Sequence, residues 1–315
     1  MPSVAIIGSG FIGRAWAISF ARAGHDVVLW DNDQAAPDRA IEFIADVLPD
    51  LATNDLLAGA TPAALLSRLR IERDLGAALK GVEHVQENAP ERVDIKKALF
   101  AELDRLAPTD AIIASSTSAI LPSRFTESLS GRHRCLIIHP INPPYLIPAA
   151  EIVPAPWTSP EVVRRAREFL MAAGQAPIVM KRELDGFVMN RMQGALLEEA
   201  FRLVADGYAT VEDIDVGIRD GLALRWSFMG PFETIDLNAP GGVRDYAERY
   251  HGIYKILFGQ MQRRVDWEGP VLDEIERARR VELPASQLAE RQLWRDRRLM
   301  ALAAHKRRAA REIGD

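Results

Sequence analysis

Short β-rich runs recur through the first 180 residues and then cease: VAIIG (4–8), DVVLWD (26–31), HVQEN (84–88), AIIASS (111–116), CLIIH (135–139), AEIV (150–153) and APIVMK (176–181). Runs this short, bounded by glycine, proline or polar residues, read as strands, and the most apolar of them as strands buried on both faces. Helical stretches separate them, and that alternation predicts an α/β fold in which helices cover a doubly wound, mostly parallel sheet. One helix, at 160–173, has predicted ends: Thr158 with Glu161 as a capping box, Pro160 in the first turn and Gly174 as the stop. Beyond Gly186 the strand signals fade and long helical patterns take over, such as FVMNRMQGALLEEAFRLVADG (187–207) and the stretch 285–312. The boundary falls near residues 182–186, which predicts an α/β domain over 1–183 and an all-α domain over 184–315.

Size and composition agree with two ordinary domains, since 315 residues with 48% apolar content can bury a sizeable core. A net charge of −5 gives no global field for nucleic acid, and the eight Lys/Arg of 285–315 read as a solvated helix face. The lone cysteine, Cys135, lies in an apolar strand and excludes an internal disulfide and a cysteine metal cage; no metal site is expected. The start MPSVAIIGSG has no signal-peptide character and no apolar run approaches the ~18 residues of a membrane span, so a cytoplasmic protein without a membrane partner is expected.

The first strand ends in Gly8-Ser9-Gly10-Phe11-Ile12-Gly13, and a helix pattern runs on to Ala23. The three glycines serve a tight turn, a close approach of backbone to pyrophosphate, and close packing of helix on strand. Asp31 ends the second strand, 23 residues beyond Gly8. A carboxylate there bonds the adenosine ribose hydroxyls and repels a 2′-phosphate, and Asn32 and Asp33 follow it with no arginine. The expected cofactor is NAD rather than NADP; another kind of α/β glycine turn is the alternative.

His139 closes the run CLIIH, and Glu151 follows twelve residues later at the start of the next strand. A carboxylate bonded to one ring nitrogen fixes which nitrogen is free to take a proton, so the pair predicts a general base with an orienting acid; a satisfied core histidine is the alternative. Together with the glycine loop, the pair predicts hydride transfer.

With GSGFIG, ENAPERVDIKKALFAEL (87–103), ASSTSAI (114–120), HPINPPYLIPAAEIVP (139–154), GFVMNRM (186–192) and MGPFE (229–233), the chain resembles the 3-hydroxyacyl-CoA dehydrogenase family, and most closely its lambda-crystallin / L-gulonate 3-dehydrogenase branch. The resemblance implies a Rossmann-type N-terminal domain and a helical C-terminal domain for substrate and dimerisation. It makes His139 the catalytic base and Glu151 its partner, with Ser118 and Asn190 bonding the reacting oxygen and the histidine across an interdomain crevice. It also puts Glu91 and Lys96 on the nicotinamide side of the cofactor, beside Gly8, Gly10, Phe11, Ile12, Gly13 and Asp31. From the residues alone, Ser118 reads as a turn serine, Asn190 as a helix cap, and Glu91 and Lys96 as a solvated helix start.

Charge narrows the substrate. Coenzyme A binders of the family offer a lysine-rich hairpin after the second strand, whereas residues 40–67 here hold no lysine or arginine and carry Glu42, Asp46, Asp50 and Asp55. A free hydroxy acid is then expected, with Arg225 as the fixed cation for its carboxylate; a surface arginine stacked on Trp226 is the alternative reading. L-Gulonate or a related polyhydroxy acid leads. The alternatives are a 3-hydroxyacyl-CoA, or carnitine held by an aromatic cage drawn from Trp226, Phe228 and Phe232. A non-catalytic, NAD(H)-binding crystallin-like protein is the reading from another class. A homodimer is expected from the resemblance of the helical domain.

Overall fold

The computed structural model describes residues 3–314 and divides into two compact units. The first runs through Asn190 and takes in Asp296–His305; the second holds Arg191–Arg295 and the residues from Lys306 on.

The first unit is built on one eight-stranded sheet: β1 (Ser3–Ile7), β2 (Asp26–Trp30), β3 (Leu69–Ile71), β4 (His84–Glu87), β5 (Ile112–Ser115), β6 (Cys135–Pro140), β7 (Ala149–Pro154) and β8 (Ala176–Val179). Their order is β3-β2-β1-β4-β5-β6-β7-β8, parallel throughout except that β7 runs antiparallel to β6. This is the expected doubly wound architecture with one strand the sequence pattern did not disclose. The strand β3 is three residues long, LRI, too short to carry a periodic signal.

Alternate residues of a strand point to opposite faces, and both faces of this sheet are buried. Val4 and Ile6 of β1 join Leu136 and Ile138 of β6 in one core, with Trp16, Phe20, Ile44 and Leu170 from helices. Ala5 and Ile7 join Cys135 and Ile137 in the other, with Phe100, Leu103 and Phe187. Each fully buried side chain of this kind contributes roughly 1.5–3 kcal/mol. Burial also pushes the Cys135 thiol up to about 12, which leaves it a packing group.

The helix Pro160–Ala172 forms where expected and ends at Gly174, whose φ of +74° only glycine adopts readily. Its cap differs from the expectation: Ser159, not Thr158, accepts the N–H of Val162. The Thr158 hydroxyl is already committed, donating to Cys135 O at 2.6 Å and accepting from Ala155 N at 2.9 Å.

The second unit is helical among its described residues, with Val211–Val216, Ala223–Trp226, Pro231–Leu237, Gly242–Gln260 and Pro270–Glu282 between the long helices Met189–Ala205 and Leu288–Ile313. The last helix is shared. Its Asp296–His305 stretch belongs to the first unit, where Met300 is buried, Arg297 meets Asp50 at 2.9 Å and Asp296 accepts the Tyr145 hydroxyl at 3.3 Å. Among the described residues, no helix is long and apolar enough to cross a membrane.

Candidate active site

The strand order reverses between β1 and β4, and the loops leaving those two strands meet there. Gly8 has φ +92°, and a Cβ on it would lie 2.9 Å from the Asn88 carbonyl carbon. A Cβ on Gly13 would lie 1.9 Å from Gly8 O, so helix Phe11–Arg22 reaches the strand this closely only with glycine at 13. Gly10 differs: its Cβ would meet nothing within 4 Å. It opens a helix that no side chain caps, so the first-turn N–H groups, with Phe11 and Ile12 among them, have no side-chain acceptor among the described residues. That is a fit for an anionic pyrophosphate. Asp31 Oδ2 accepts the Ser9 N–H at 2.6 Å and Oδ1 the Asp33 N–H at 2.9 Å, which fixes a half-buried carboxylate beside the loop. Its remaining lone pairs suit ribose hydroxyls.

Farther along the sheet, antiparallel pairing puts Glu151 of β7 directly opposite His139 of β6. Both share the face of Ile137 and Val153, where Phe187 is fully buried with its ring centroid 5.5 Å from that of His139. His139 Nδ1 lies 2.7 Å from Glu151 Oε2. The other oxygen, Oε1, accepts the N–H of Val188 at 2.7 Å and of Met189 at 3.0 Å, where the helix Met189–Ala205 begins. Burial raises the Glu151 carboxyl, but the bonds from His139, Met189 and Val188 outweigh it and hold the group below the ordinary carboxylate range. An ionised Glu151 requires the ring proton on Nδ1, so Nε2 carries the lone pair. Among the described residues Nε2 has no partner.

Ser118 is exposed in the loop after β5 and its hydroxyl makes no hydrogen bond among the described residues. Its carbonyl accepts Asn190 Nδ2 at 2.6 Å, and its N–H donates to Glu91 Oε1 at 3.0 Å. The structure therefore joins three of the residues singled out in the sequence. Lys96 lies beside this group, its ammonium 3.9 Å from Glu91 Oε2; it is 1% exposed and bonds Glu87 Oε1 at 2.9 Å, Glu87 Oε2 at 3.0 Å and Ala89 O at 3.3 Å. Arg225 lies in the second unit, between Ala223 and Trp226 on a short helix, and its Nε is buried with no hydrogen-bond partner among the described residues.

Sequence reasoning missed Glu87, Ser115, Thr117 and the network of His84, Gln86, Asn88 and Ser116. All four residues of β4 are buried, three of them polar or charged. Polar side chains in a central strand need partners, and the Ser-Ser-Thr run at 115–117 supplies them: Ser115 donates to Glu87 at 2.5 Å, and Ser116 accepts from Gln86 at 2.7 Å and donates to Asn88 at 2.8 Å. The signal was the polarity of HVQE itself.

The geometry offers a dinucleotide loop, a carboxylate-backed imidazole and a free hydroxyl on one sheet. The NAD-binding domain model of 3-hydroxyacyl-CoA dehydrogenases matches residues 3–183, and the model of the C-terminal domain of the same enzymes matches residues 186–268. Lambda-crystallin of Oryctolagus cuniculus is 38% identical over 310 residues, covering 96% of each chain. An L-carnitine dehydrogenase of Pseudomonas sp is 36% identical over 303 residues, covering 96% of this chain and 93% of that one. Among solved structures, 5-formyl-3-hydroxy-2-methylpyridine 4-carboxylic acid 5-dehydrogenase, described as an NAD+ dependent dismutase, superposes with a TM-score of 0.82 at 29% identity, over 96% of this chain and 97% of that one. The chain belongs to the 3-hydroxyacyl-CoA dehydrogenase family and is an NAD-dependent oxidoreductase acting on a CH–OH group.

Proposed function

We propose that this enzyme oxidises the 3-hydroxyl of a small free hydroxy acid to the 3-oxo acid, with L-gulonate or a related polyhydroxy acid as substrate. Bound NAD, held by Gly8, Gly10, Gly13, the N–H groups at Phe11 and Ile12, and Asp31, supplies the hydride acceptor. His139 Nε2 takes the hydroxyl proton, and the Glu151 carboxylate stabilises the imidazolium that results. Two backbone N–H groups keep Glu151 charged for that purpose. The Ser118 hydroxyl donates to the oxygen as it becomes alkoxide-like, and Asn190 holds the Ser118 carbonyl at 2.6 Å, keeping that donor in place.

The observation that carries the free-acid reading is the unpartnered Nε of Arg225. A buried guanidinium donor without an acceptor costs stability unless a ligand supplies one, and a carboxylate fits its planar fork. The absence of any lysine or arginine from residues 40–67 supports the same reading against coenzyme A. A second reading, L-carnitine, draws on the carnitine dehydrogenase relative and on Tyr246, Tyr250 and Tyr254, which line one face of helix Gly242–Gln260 with neighbouring ring centroids 4.6 and 6.5 Å from that of Tyr246. Rows of aromatic faces attract a quaternary ammonium. Pairing with a second copy is part of the proposal, supported by the exposed Leu237, Ile253, Ile256 and Phe258 of the second unit.

NADH production with L-gulonate, L-carnitine, 3-hydroxybutyrate and 3-hydroxybutyryl-CoA, measured side by side, tests the substrate. A free acid is expected to lead, and preference for the CoA ester overturns the charge argument. With the leading acid, Arg225→Met should raise KM by roughly 10-fold or more, in line with loss of one charge-assisted bond pair, and much less for the corresponding amide. Equal losses for acid and amide make Arg225 structural.

A further inference from the structure

We infer that Asn88 is a positioning residue for the cofactor: its carboxamide, locked by the Ser116 hydroxyl, fixes the Gly8–Ser9 peptide that shapes the dinucleotide loop. The inference rests on the reading of Gly8, Gly10 and Gly13 as the seat of NAD. Asn88 follows β4, and its backbone N–H donates to Ile7 O at 2.7 Å across the point where the strand order reverses. Its Nδ2 faces three carbonyl oxygens, Gln86 O at 2.9 Å, Gly8 O at 3.3 Å and Ile7 O at 3.4 Å. The Gly8 carbonyl and the Ser9 N–H belong to one planar peptide unit, and that N–H donates to Asp31 Oδ2 at 2.6 Å. One peptide is therefore gripped at both ends, by an amide on its oxygen and by a carboxylate on its N–H. Gly8, at φ +92°, has no side chain to steer its backbone, so contacts from outside the loop set the plane.

Chemistry fixes the direction of every bond behind Asn88. Carbonyl oxygens only accept, so Nδ2 is the atom that faces them and Oδ1 the atom that faces Ser116. Oδ1 carries no hydrogen, so the Ser116 hydroxyl donates to it, at 2.8 Å. The lone pairs of that hydroxyl take Gln86 Nε2 at 2.7 Å and the Trp16 indole N–H at 3.1 Å. A hydroxyl offers one donor and two acceptor sites, and here all are used. Trp16 is fully buried on Phe11–Arg22, the helix that the glycine loop opens. Gln86 is fully buried in β4 and also donates to Ile138 O at 3.2 Å, on the residue before His139. Ser116 thus ties the helix after the loop and the strands β4 and β6 to the amide that holds Gly8. Linked bonds of one direction, shielded from bulk water, strengthen one another. A pyrophosphate binds best to N–H groups already aimed at it, so preorganisation of the loop is read in cofactor affinity.

The experiment measures the NADH dissociation constant by fluorescence titration, and the thermal midpoint, for Asn88→Ala, Asn88→Asp, Ser116→Ala, Ser116→Thr and the double variant Asn88→Ala/Ser116→Ala. NADH binding is expected to weaken about 10-fold in Asn88→Ala and in the isosteric Asn88→Asp, whose second oxygen cannot donate to Gly8 O, and about fivefold in Ser116→Ala. Ser116→Thr keeps the hydroxyl and should bind NADH within about twofold of wild type. On the Asn88→Ala background, Ser116→Ala should weaken NADH no further. With the acid that leads the substrate comparison, KM for NAD should rise in parallel while kcat at saturating NAD falls far less. A lower thermal midpoint with wild-type NADH affinity makes the network a packing feature and overturns the inference. Losses that multiply in the double variant overturn it too, as does a fall in kcat at constant NADH affinity. Unchanged NADH affinity in Asp31→Ala sinks the underlying reading of the loop instead, so the two failures are distinct. Asn88→Asp carries the test if Asn88→Ala does not fold.

Discussion

Two histidines are buried in the same sheet and differ in what stands behind the ring. His84 opens β4 and is 1% exposed; His139 stands near the end of β6 and is 5% exposed. Alternation along the strands sends them to opposite faces. His84 stacks on Phe169 with ring centroids 4.4 Å apart and packs near Phe20, while His139 lies beside Phe187 and Glu151. The partner of His84 is the neutral amide of Gln86, 3.0 Å from Nε2, and its Nδ1 has no partner among the described residues. Burial pushes its pKa down to about 4, so it stays an uncharged aromatic at neutral pH. His139 has an anion at 2.7 Å that two backbone N–H groups keep ionised. Depth alone therefore does not make a base: burial disfavours the imidazolium, and only an ionised partner restores it.

Exchanging the rings one at a time exposes the difference most strongly in turnover. His139→Ala should lower kcat on the order of 10²- to 10⁴-fold while leaving NADH affinity within about twofold, because the base lies outside the dinucleotide loop. His84→Gln, whose amide can still donate to Gln86, should leave kcat within about threefold. Steady-state kinetics and NADH fluorescence titration decide it. Comparable kcat losses in both variants erase the distinction, and a parallel loss of NADH binding in His139→Ala removes the histidine from the role of base.

The contrast was half legible in the chain. An apolar run ending in histidine, followed by a strand opening with glutamate, put His139 and Glu151 within one hairpin of each other, and the glycine loop and Asp31 were readable for the same reason: their spacing is local. The second task of Glu151, gripping Val188 and Met189, was not readable, since it joins positions 37 and 38 residues apart. The reading of Lys96 as part of a solvated helix start failed for the same reason. Its spacing resembled a helix start open to solvent, but the side chain turns inward to Glu87, nine residues back, because a strand-end carboxylate in a buried position needs a cation. Short strands such as β3 and the direction in which amphipathic helices of the second unit face are likewise set by tertiary pairing, which no local period encodes.

A smaller effect separates the histidines by pH. The unfolded His84 protonates near 6.5 and the folded one near 4, so between those values the unfolded chain binds the extra proton and stability falls as pH falls. Over that window the loss is on the order of 3 kcal/mol. Glu151 shifts in the same direction but from a lower starting value. Its folded pKa lies below the unfolded 4.5, so its contribution is complete above that pH and is lost only as pH drops through the folded value. The windows barely overlap, which lets denaturant titrations at pH 7, 6, 5 and 4.5 isolate His84. Wild type should lose stability steadily across the series, whereas His84→Gln should be nearly flat over it, starting from a lower value at pH 7 because the ring's stacking on Phe169 is gone. An equally steep decline in the variant would mean that the folded protein protonates His84 without penalty, and the inert histidine would have to be counted as a second titrating site.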